Sequence, residues 1–128
     1  KIKIDYPSRF YNMGSSEQLM LGAAVGMAME GKIPVVYSIT SFLLYRPFEY
    51  IRNYLQHEKW PVKLIGGGRN KDYGYLGFSH WAEEDKQVMS CLPNIDCHWP
   101  DGIDEMRLLT KKALTDTSGP SYLNLRRK

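Results

Sequence analysis

The sequence lacks any apolar stretch long enough to cross a membrane. The run with the fewest charges follows Glu17 and ends at Met29, whereas a membrane-spanning helix needs about 20 apolar residues. A secretory signal pattern is also missing. We therefore expect a cytoplasmic protein.

Cysteine is scarce, and neither sign of charge dominates. The spacing of Cys91 and Cys97 matches neither a zinc motif nor a disulfide framework, so we interpret both as reduced thiols. The net charge of +3 is spread along the chain, which is too weak a signal for nucleic-acid binding. We also find no cluster of metal-ligating residues and no pairing of a nucleophile with a base.

What the sequence does have is a regular alternation of β-type and helical segments. Such alternation predicts an α/β fold in which a parallel sheet carries helices on both faces. We expect one domain spanning residues 1–128. The predicted strands are "RFYNM", "IPVVYSI", "PVKLIG", "IDCHW" and "SYLNLRR", and the predicted helices are "SSEQLMLGAAVGMAMEG", "RPFEYIRNYLQHEK", "EEDKQVMSCL" and "IDEMRLLTKKALTD".

Candidate functional residues follow the first three predicted strands. Ligands bind beyond the carboxyl ends of parallel strands, so the loops after these strands are expected to share one rim. The rim then collects a carboxylate, aromatic rings and a histidine. The candidates are Glu17, Phe42, Tyr45, Arg46 and His80.

Each candidate also has a plain structural interpretation. Glu17 stands at the start of a helix, where a carboxylate favours the helix dipole. The helix is apolar all round, however, so we expect it to be covered on every side. Burial of Glu17 would raise its pKa and make it a useful proton donor. Phe42 and Tyr45 fit either core packing or a stacking platform. The glycines 66–68 lack the ending of a phosphate-binding loop.

Several motifs, in order along nearly the whole chain, resemble the pyrimidine-binding domain of transketolase-like thiamine diphosphate enzymes. "RFYNMGSSEQ" resembles the R-F-x-N-x-G-I-x-E-Q segment of that family, and "SFLLYRPFEYIRN" resembles its S-F-x-x-F/Y-x-R-x-x-E/D-Q-I-R segment. "YGYLGFSHWAEED" and "GPSYLNLRR" are similar to two later family motifs. Asn124 stands where the last of these motifs has an arginine.

The resemblance implies a role for each candidate. Glu17 matches the glutamate that hydrogen-bonds N1′ of the aminopyrimidine and so promotes removal of the thiazolium C2 proton. Phe42 matches the aromatic ring that stacks on the cofactor, with Tyr45 and Arg46 nearby. His80 matches a histidine close to the reacting carbon. Arg127 matches an arginine near the substrate phosphate in some members.

The resemblance also implies a partner. The domain that binds the diphosphate and Mg²⁺ has no counterpart in the sequence, so a partner domain or subunit is expected to hold both. Family members also have a helix and a strand ahead of the R-F step, so we expect the domain to be N-terminally incomplete. An oligomer, a dimer in the simplest case, and a sugar phosphate substrate are expected.

Three other interpretations stay open at this point. They are a 1-deoxyxylulose-phosphate synthase-like domain, the β-type half of a 2-oxo acid dehydrogenase, and a non-catalytic interaction domain on the same fold. "GFSHWAEED" favours transketolase over the first two. The carboxylate of Glu17 argues against a non-catalytic interaction domain, because a domain that kept the fold but lost catalysis would not need a carboxylate at this position.

Overall fold

Within residues 1–127, which the computed structural model describes, four parallel strands form a single sheet. The strands are β1 (Val35–Ile39), β2 (Lys63–Gly67), β3 (Asp96–His98) and β4 (Ser121–Leu125), and the α-helices are α1 (Ile2–Asp5), α2 (Glu17–Met29), α3 (Thr40–Tyr45), α4 (Phe48–Tyr50), α5 (Asp85–Ser90) and α6 (Ile103–Thr115). The order across the sheet is β1-β2-β4-β3, and every neighbouring pair is parallel. Parallel strands need crossover connections, and helices lie between successive strands. The predicted α/β class with a parallel sheet is confirmed.

The first predicted strand is wrong. Residues 7–9 form a 3₁₀ turn, and no strand follows before α2 begins at Glu17. Phe10 and Tyr11, the β-prone residues of "RFYNM", are exposed. A strand needs a hydrogen-bonded neighbour, and in the described chain β1 is bonded only to β2. Favourable residue types without a neighbour to pair with did not make a strand here.

The helical region after β1 begins earlier than the sequence indicated. We predicted one helix from Arg46, whereas α3 starts at Thr40, directly after the strand. Pro47 separates α3 from α4 because proline has no N–H to donate back into a helix. A π-helical segment, Ile51–His57, continues α4. Because α3 starts early, Phe42 lies inside a helix that begins directly after the carboxyl end of β1.

Helix α2 buries one face and leaves the other partly open. Its buried side, including Leu21 and Val25, belongs to the main hydrophobic core. On its other side Leu19 is 60% exposed and Met29 47%. The expectation that α2 is covered all round therefore holds for one face in this chain. No helix in residues 1–127 has both the length and the apolar character of a membrane span.

Close packing accounts for two of the three consecutive glycines at and just after the end of β2. A Cβ at Gly66 would come within 2.6 Å of Oγ1 of Thr40, which begins α3 and is fully buried. Gly68 has a φ of +88°, which favours glycine, and a Cβ there would collide with the ring of Tyr73. The Thr40 hydroxyl also donates to the Gly68 carbonyl at 2.6 Å. These contacts lock the start of α3 against the loop that follows β2.

Candidate functional site

Glu17 is a buried carboxylate at the first position of α2. Only 9% of its side chain is exposed. Arg46, just after α3, donates from Nη1 to Glu17 Oε2 at 2.8 Å. Ser38, on β1, contacts Oε1 from its hydroxyl at the longer distance of 3.5 Å. Ser38 was not among the predicted site residues, although its place near the carboxyl end of a predicted strand was a signal for it.

The expected rise in the pKa of Glu17 is wrong for this structure. Burial does raise the pKa of the carboxyl group. The hydrogen bond from Arg46, a backbone hydrogen bond at Glu17, the positive charge of Arg46 and a smaller contribution from Ser38 together outweigh burial, so the net pKa lies below 4.5. The sequence pattern predicts that Glu17 is buried but gives no sign of its cationic partner. In this arrangement the carboxylate is charged at neutral pH.

Phe42 and Arg46 form a stacked pair next to Glu17. The Cζ atom of Arg46 lies 3.7 Å from the centroid of the Phe42 ring, which is a close cation–π contact. The two residues are four positions apart in the helical region after β1, which brings their side chains to the same face. The guanidinium thus touches the ring and the carboxylate of Glu17 at once. Arg46 keeps 46% of its side chain exposed, so this group lies at the mouth of the site.

His80 also contacts the Phe42 ring. The two rings meet edge to face, with their centroids 4.8 Å apart. The segment that carries His80 is fixed from α3, because the buried Ser41 hydroxyl donates to the Ser79 carbonyl at 3.0 Å. The Ser79 hydroxyl in turn lies 3.0 Å from Nδ1 of His80. The Ser79 hydroxyl is therefore a hydrogen-bond partner of Nδ1, and this contact influences which tautomer the imidazole adopts.

A line of neighbouring side chains runs along the rim, and we call it the site row. Beyond His80, the Tyr73 ring lies with its centroid 6.4 Å from the imidazole centroid. The Cζ atom of Arg127 lies 4.8 Å from the Tyr73 centroid, and its Nη1 donates to Tyr75 at 2.6 Å. Tyr73 was not predicted, because its only sequence signal was an aromatic residue in the glycine-rich loop. In order of contact the site row is Glu17, Arg46, Phe42, His80, Tyr73 and Arg127.

Tyr45 takes a different direction from the site row. Partial burial, followed by the nearby carboxylate of Glu84, raises its pKa well above the ordinary value. Asp85 adds to the same effect. The carboxylates that act on Tyr45 therefore belong to the segment that leads into α5. Its expected place beside the cofactor stays a prediction.

A buried network of hydrogen bonds, centred on Asp85, connects several of the elements that carry the rim. Asp85 Oδ2 accepts hydrogen bonds from Trp99 at 2.7 Å, Tyr122 at 2.9 Å and Asn124 at 2.6 Å. The buried guanidinium of Arg69 donates to the backbone carbonyl of Asn124 at 2.8 Å. Asn124, which replaces the arginine of the family pattern, thus links a buried anion to a buried cation. The network ties β3, β4, α5 and the loop after β2 together.

Metal-ligating side chains do not gather in this part of the molecule. Over residues 1–127, no group of three or more His, Cys, Asp or Glu side chains is arranged to hold a metal ion. The polar groups of the site row instead suit an organic ligand: one carboxylate, one imidazole, stacked rings and an arginine. The carboxyl ends of parallel strands, where most of these groups lie, are the place at which α/β domains of this kind bind ligands.

Comparison with known proteins identifies the family. The family model described as transketolase, pyrimidine binding domain, matches residues 2–128. The chain belongs to this family, and membership implies the use of thiamine diphosphate. The resemblance inferred from the sequence motifs is confirmed.

Individual relatives point the same way. The chain is 32% identical over 124 residues to a putative transketolase C-terminal section of Methanocaldococcus jannaschii, covering 97% of this chain and 39% of that protein. It is 32% identical over 121 residues to one subunit of the apulose-4-phosphate transketolase of Actinobacillus succinogenes, covering 94% of this chain and 39% of that protein. Both relatives are parts of transketolases rather than whole single-chain enzymes.

A solved structure shares the fold over the whole chain. It is a split gene transketolase in the form of an inactive beta4 tetramer, and it matches with a TM-score of 0.86 and 34% identity, covering all of this chain and 40% of that one. The present chain thus spans about two fifths of the length of these relatives. It corresponds to one part of a longer architecture.

Proposed function

We propose that this chain is the aminopyrimidine-binding half of a thiamine diphosphate-dependent transketolase. In this proposal it transfers a two-carbon ketol unit between sugar phosphates, together with a domain or subunit that binds the diphosphate. Bound thiamine diphosphate supplies an electron sink for the carbanion formed when the donor's carbon–carbon bond breaks. The chain's own residues bind and orient the aminopyrimidine and handle protons around it.

The observation that carries the proposal is that Glu17 and Phe42 contact the same flat group. A flat cation, the Arg46 guanidinium, stacks on the Phe42 ring at 3.7 Å while donating to Glu17 at 2.8 Å. An aminopyrimidine is also flat and presents a ring nitrogen that a carboxyl group can hydrogen-bond. The guanidinium is therefore a stand-in for it, and the residues present fit the cofactor.

The roles of the site row follow from its order. Glu17 would hold a proton at N1′ of the aminopyrimidine, and Phe42 would fix the plane of that ring. His80, one ring further along, would donate to or accept from an oxygen of the substrate next to the reacting carbon. Arg127, at the far end, would bind the substrate phosphate by charge-assisted hydrogen bonds. In this proposal, one end of the site row contacts the cofactor and the other end contacts the substrate.

A partner would complete the site. Carboxylate ligands for Mg²⁺ do not gather within residues 1–127, and the relatives are more than twice as long as the matched region. We propose that the diphosphate and Mg²⁺ are held by a separate domain or subunit. An oligomer in which the open face of α2 is covered would bring the two together.

Calorimetry with thiamine diphosphate and Mg²⁺ tests the split site. We expect weak or undetectable binding by this chain alone and clear binding once the diphosphate-binding chain is added. A Glu17→Gln variant in the same mixture controls for binding that bypasses the aminopyrimidine site. Tight binding by this chain alone would overturn the proposal of a shared site.

The choice of donor separates transketolase from its alternatives. With a ketose phosphate donor and an aldose phosphate acceptor, the assembled protein should yield a ketose two carbons longer than the acceptor. A 1-deoxyxylulose-phosphate synthase or a 2-oxo acid dehydrogenase would instead take a 2-oxo acid and release carbon dioxide. Release of carbon dioxide from pyruvate, with no ketol transfer, would contradict the transketolase assignment.

A further inference from the structure

Arg46 contacts both groups that the proposed function assigns to the cofactor's aminopyrimidine ring, namely the Phe42 ring and the Glu17 carboxyl group. Its guanidinium covers the Phe42 ring at 3.7 Å and takes up Glu17 Oε2 at 2.8 Å. Stacking needs the face of Phe42, and the hydrogen bond at N1′ needs the Glu17 carboxyl group. Two flat groups cannot lie in the same layer against one ring and one carboxylate. The guanidinium and an aminopyrimidine therefore exclude each other.

The side chain of Arg46 can leave without disturbing the fold. Nearly half of it is exposed, so a path to solvent is open. Its backbone carbonyl is held separately, because Gln18 Nε2 donates to it at 3.2 Å. Rotation about the side-chain bonds alone would free the Phe42 ring and Glu17. Rotamer changes of exposed side chains are fast compared with ligand binding.

We propose that Arg46 is an internal competitor, which fills the aminopyrimidine position in the unloaded chain and must swing out before the cofactor can bind. This inference rests on the proposed function. It changes the role expected for Arg46 from a cofactor-binding residue to a residue displaced by the cofactor. The apparent affinity for the cofactor is then reduced by the small fraction of molecules in which the site is free.

Arg46 also stabilises the chain when no cofactor is bound. A buried carboxylate without a partner is costly, and Arg46 supplies that partner to Glu17. When the guanidinium leaves, its hydrogen bond and charge no longer offset burial, and only the backbone hydrogen bond and Ser38 still lower the pKa of Glu17, so that pKa rises. The group that needs to hold a proton at N1′ therefore gains the capacity to do so when the site is filled. Displacement couples occupancy of the site to the protonation of Glu17.

The test compares Arg46→Ala with Arg52→Ala in the chain assembled with its diphosphate-binding partner. Arg52 is an exposed arginine nearby, so its removal makes the same change in net charge. Stopped-flow fluorescence would follow the association of thiamine diphosphate, and calorimetry would give its affinity. We expect Arg46→Ala to bind roughly tenfold faster and tighter than the wild type, whereas Arg52→Ala stays within about twofold of it.

The outcomes separate the inference from the proposed function. Binding by the wild type that is weakened or unchanged in Arg46→Ala overturns the inference but leaves the function standing. Absence of binding in the wild type and in both variants overturns the proposed function and the inference with it. Arg46→Gln gives a second variant in case the alanine variant does not fold, and we expect the same acceleration from it.

Discussion

At the scale of single residues, the candidate site is built around the buried carboxylate of Glu17 and the guanidinium of Arg46 that pairs with it. The Arg46–Glu17 pair joins the start of α2 to the end of α3, and its hydrogen bond measures 2.8 Å. Arg46 is partly exposed, so solvent weakens the charge interaction of the pair. Its larger effect is on the protonation state of Glu17.

Removal of the guanidinium should raise the pKa of Glu17. In the Arg46→Ala variant burial remains and the main opposing interaction is lost, so the pKa should move upward from its lowered value. NMR titration of the ¹³C-labelled glutamate carboxyl group measures this directly, with Arg52→Ala as the control. A Glu17 pKa that stays the same in both variants would show that Arg46 does not control it.

The same pair makes a pH-dependent contribution to stability. Because the folded pKa of Glu17 is lowered, the stabilisation is fully present above the unfolded value of about 4.5 and is lost as the pH falls through the folded pKa. The difference in unfolding free energy between wild type and Arg46→Ala should therefore shrink below about pH 4.5. Urea denaturation of both proteins over a pH series measures this difference. A difference that grows on acidification would have the wrong sign for this pair.

At the scale of elements, the join between β2 and α3 fixes the position of the site row. Gly66 has room for Thr40 only because it has no side chain, and Thr40 starts the helix that carries Phe42. The strand end and the helix start are therefore packed as one unit.

A methyl group at Gly66 should break that unit. Gly66→Ala forces an atom to within 2.6 Å of the buried Thr40 hydroxyl, so we expect a loss of roughly 1–3 kcal/mol in unfolding free energy. Gly74→Ala is the matched control, since a Cβ there meets nothing within 4 Å. Chemical denaturation measures both. Equal stability of the two variants would mean that the contact at Gly66 is not tight.

The elements that the sequence predicted well are those with a strong local signal. Strands β1, β2 and β4 are rich in β-branched or apolar residues, and α2 has a long helical pattern bounded by Gly31. The segment "RFYNM" failed because strand formation depends on a neighbour that local sequence does not reveal. The early start of α3 was missed because Thr40 and Ser41 resemble the end of a strand rather than a helix start.

The sequence indicates some of the residues that lie together at the site, but not their contacts. Strand-end positions indicated a shared rim for Phe42, Arg46 and His80, whereas Glu17 follows no strand in the structure and only the shared motif placed it with them. The salt bridge that lowers the pKa of Glu17 depends on a side-chain conformation, for which the sequence carries no signal. Tyr73 lies in the row because loop geometry brings it beside His80, which a linear pattern does not encode.

At the scale of the whole molecule, an apolar face of α2 is left open. Leu19 is 60% exposed on the same helix that begins with Glu17. Because this uncovered apolar face lies next to the site for which we propose a partner, we propose an assembly interface there.

A charge placed on that face should weaken assembly. We expect Leu19→Asp to lower the association of the chain with itself or its partner by at least about tenfold, because a buried unpaired charge is costly at an interface. Leu108→Asp is the control, since Leu108 is 67% exposed on α6, away from the site row. Sedimentation velocity over a concentration series gives both constants. Equal effects of the two substitutions would argue against an interface at α2.

The most direct test of the proposed function is the effect of Glu17→Gln on exchange of the cofactor's C2 proton in the assembled protein. Glutamine keeps the size of the side chain and can still hydrogen-bond, but it cannot pass a proton to N1′. We predict that exchange, followed by NMR after rapid mixing with deuterium oxide, slows by roughly 10²–10⁴-fold, the usual worth of a positioned proton-transfer group, while the melting temperature changes little. Exchange at the wild-type rate in a protein that merely melts earlier would contradict a catalytic role and reduce Glu17 to a helix-start residue.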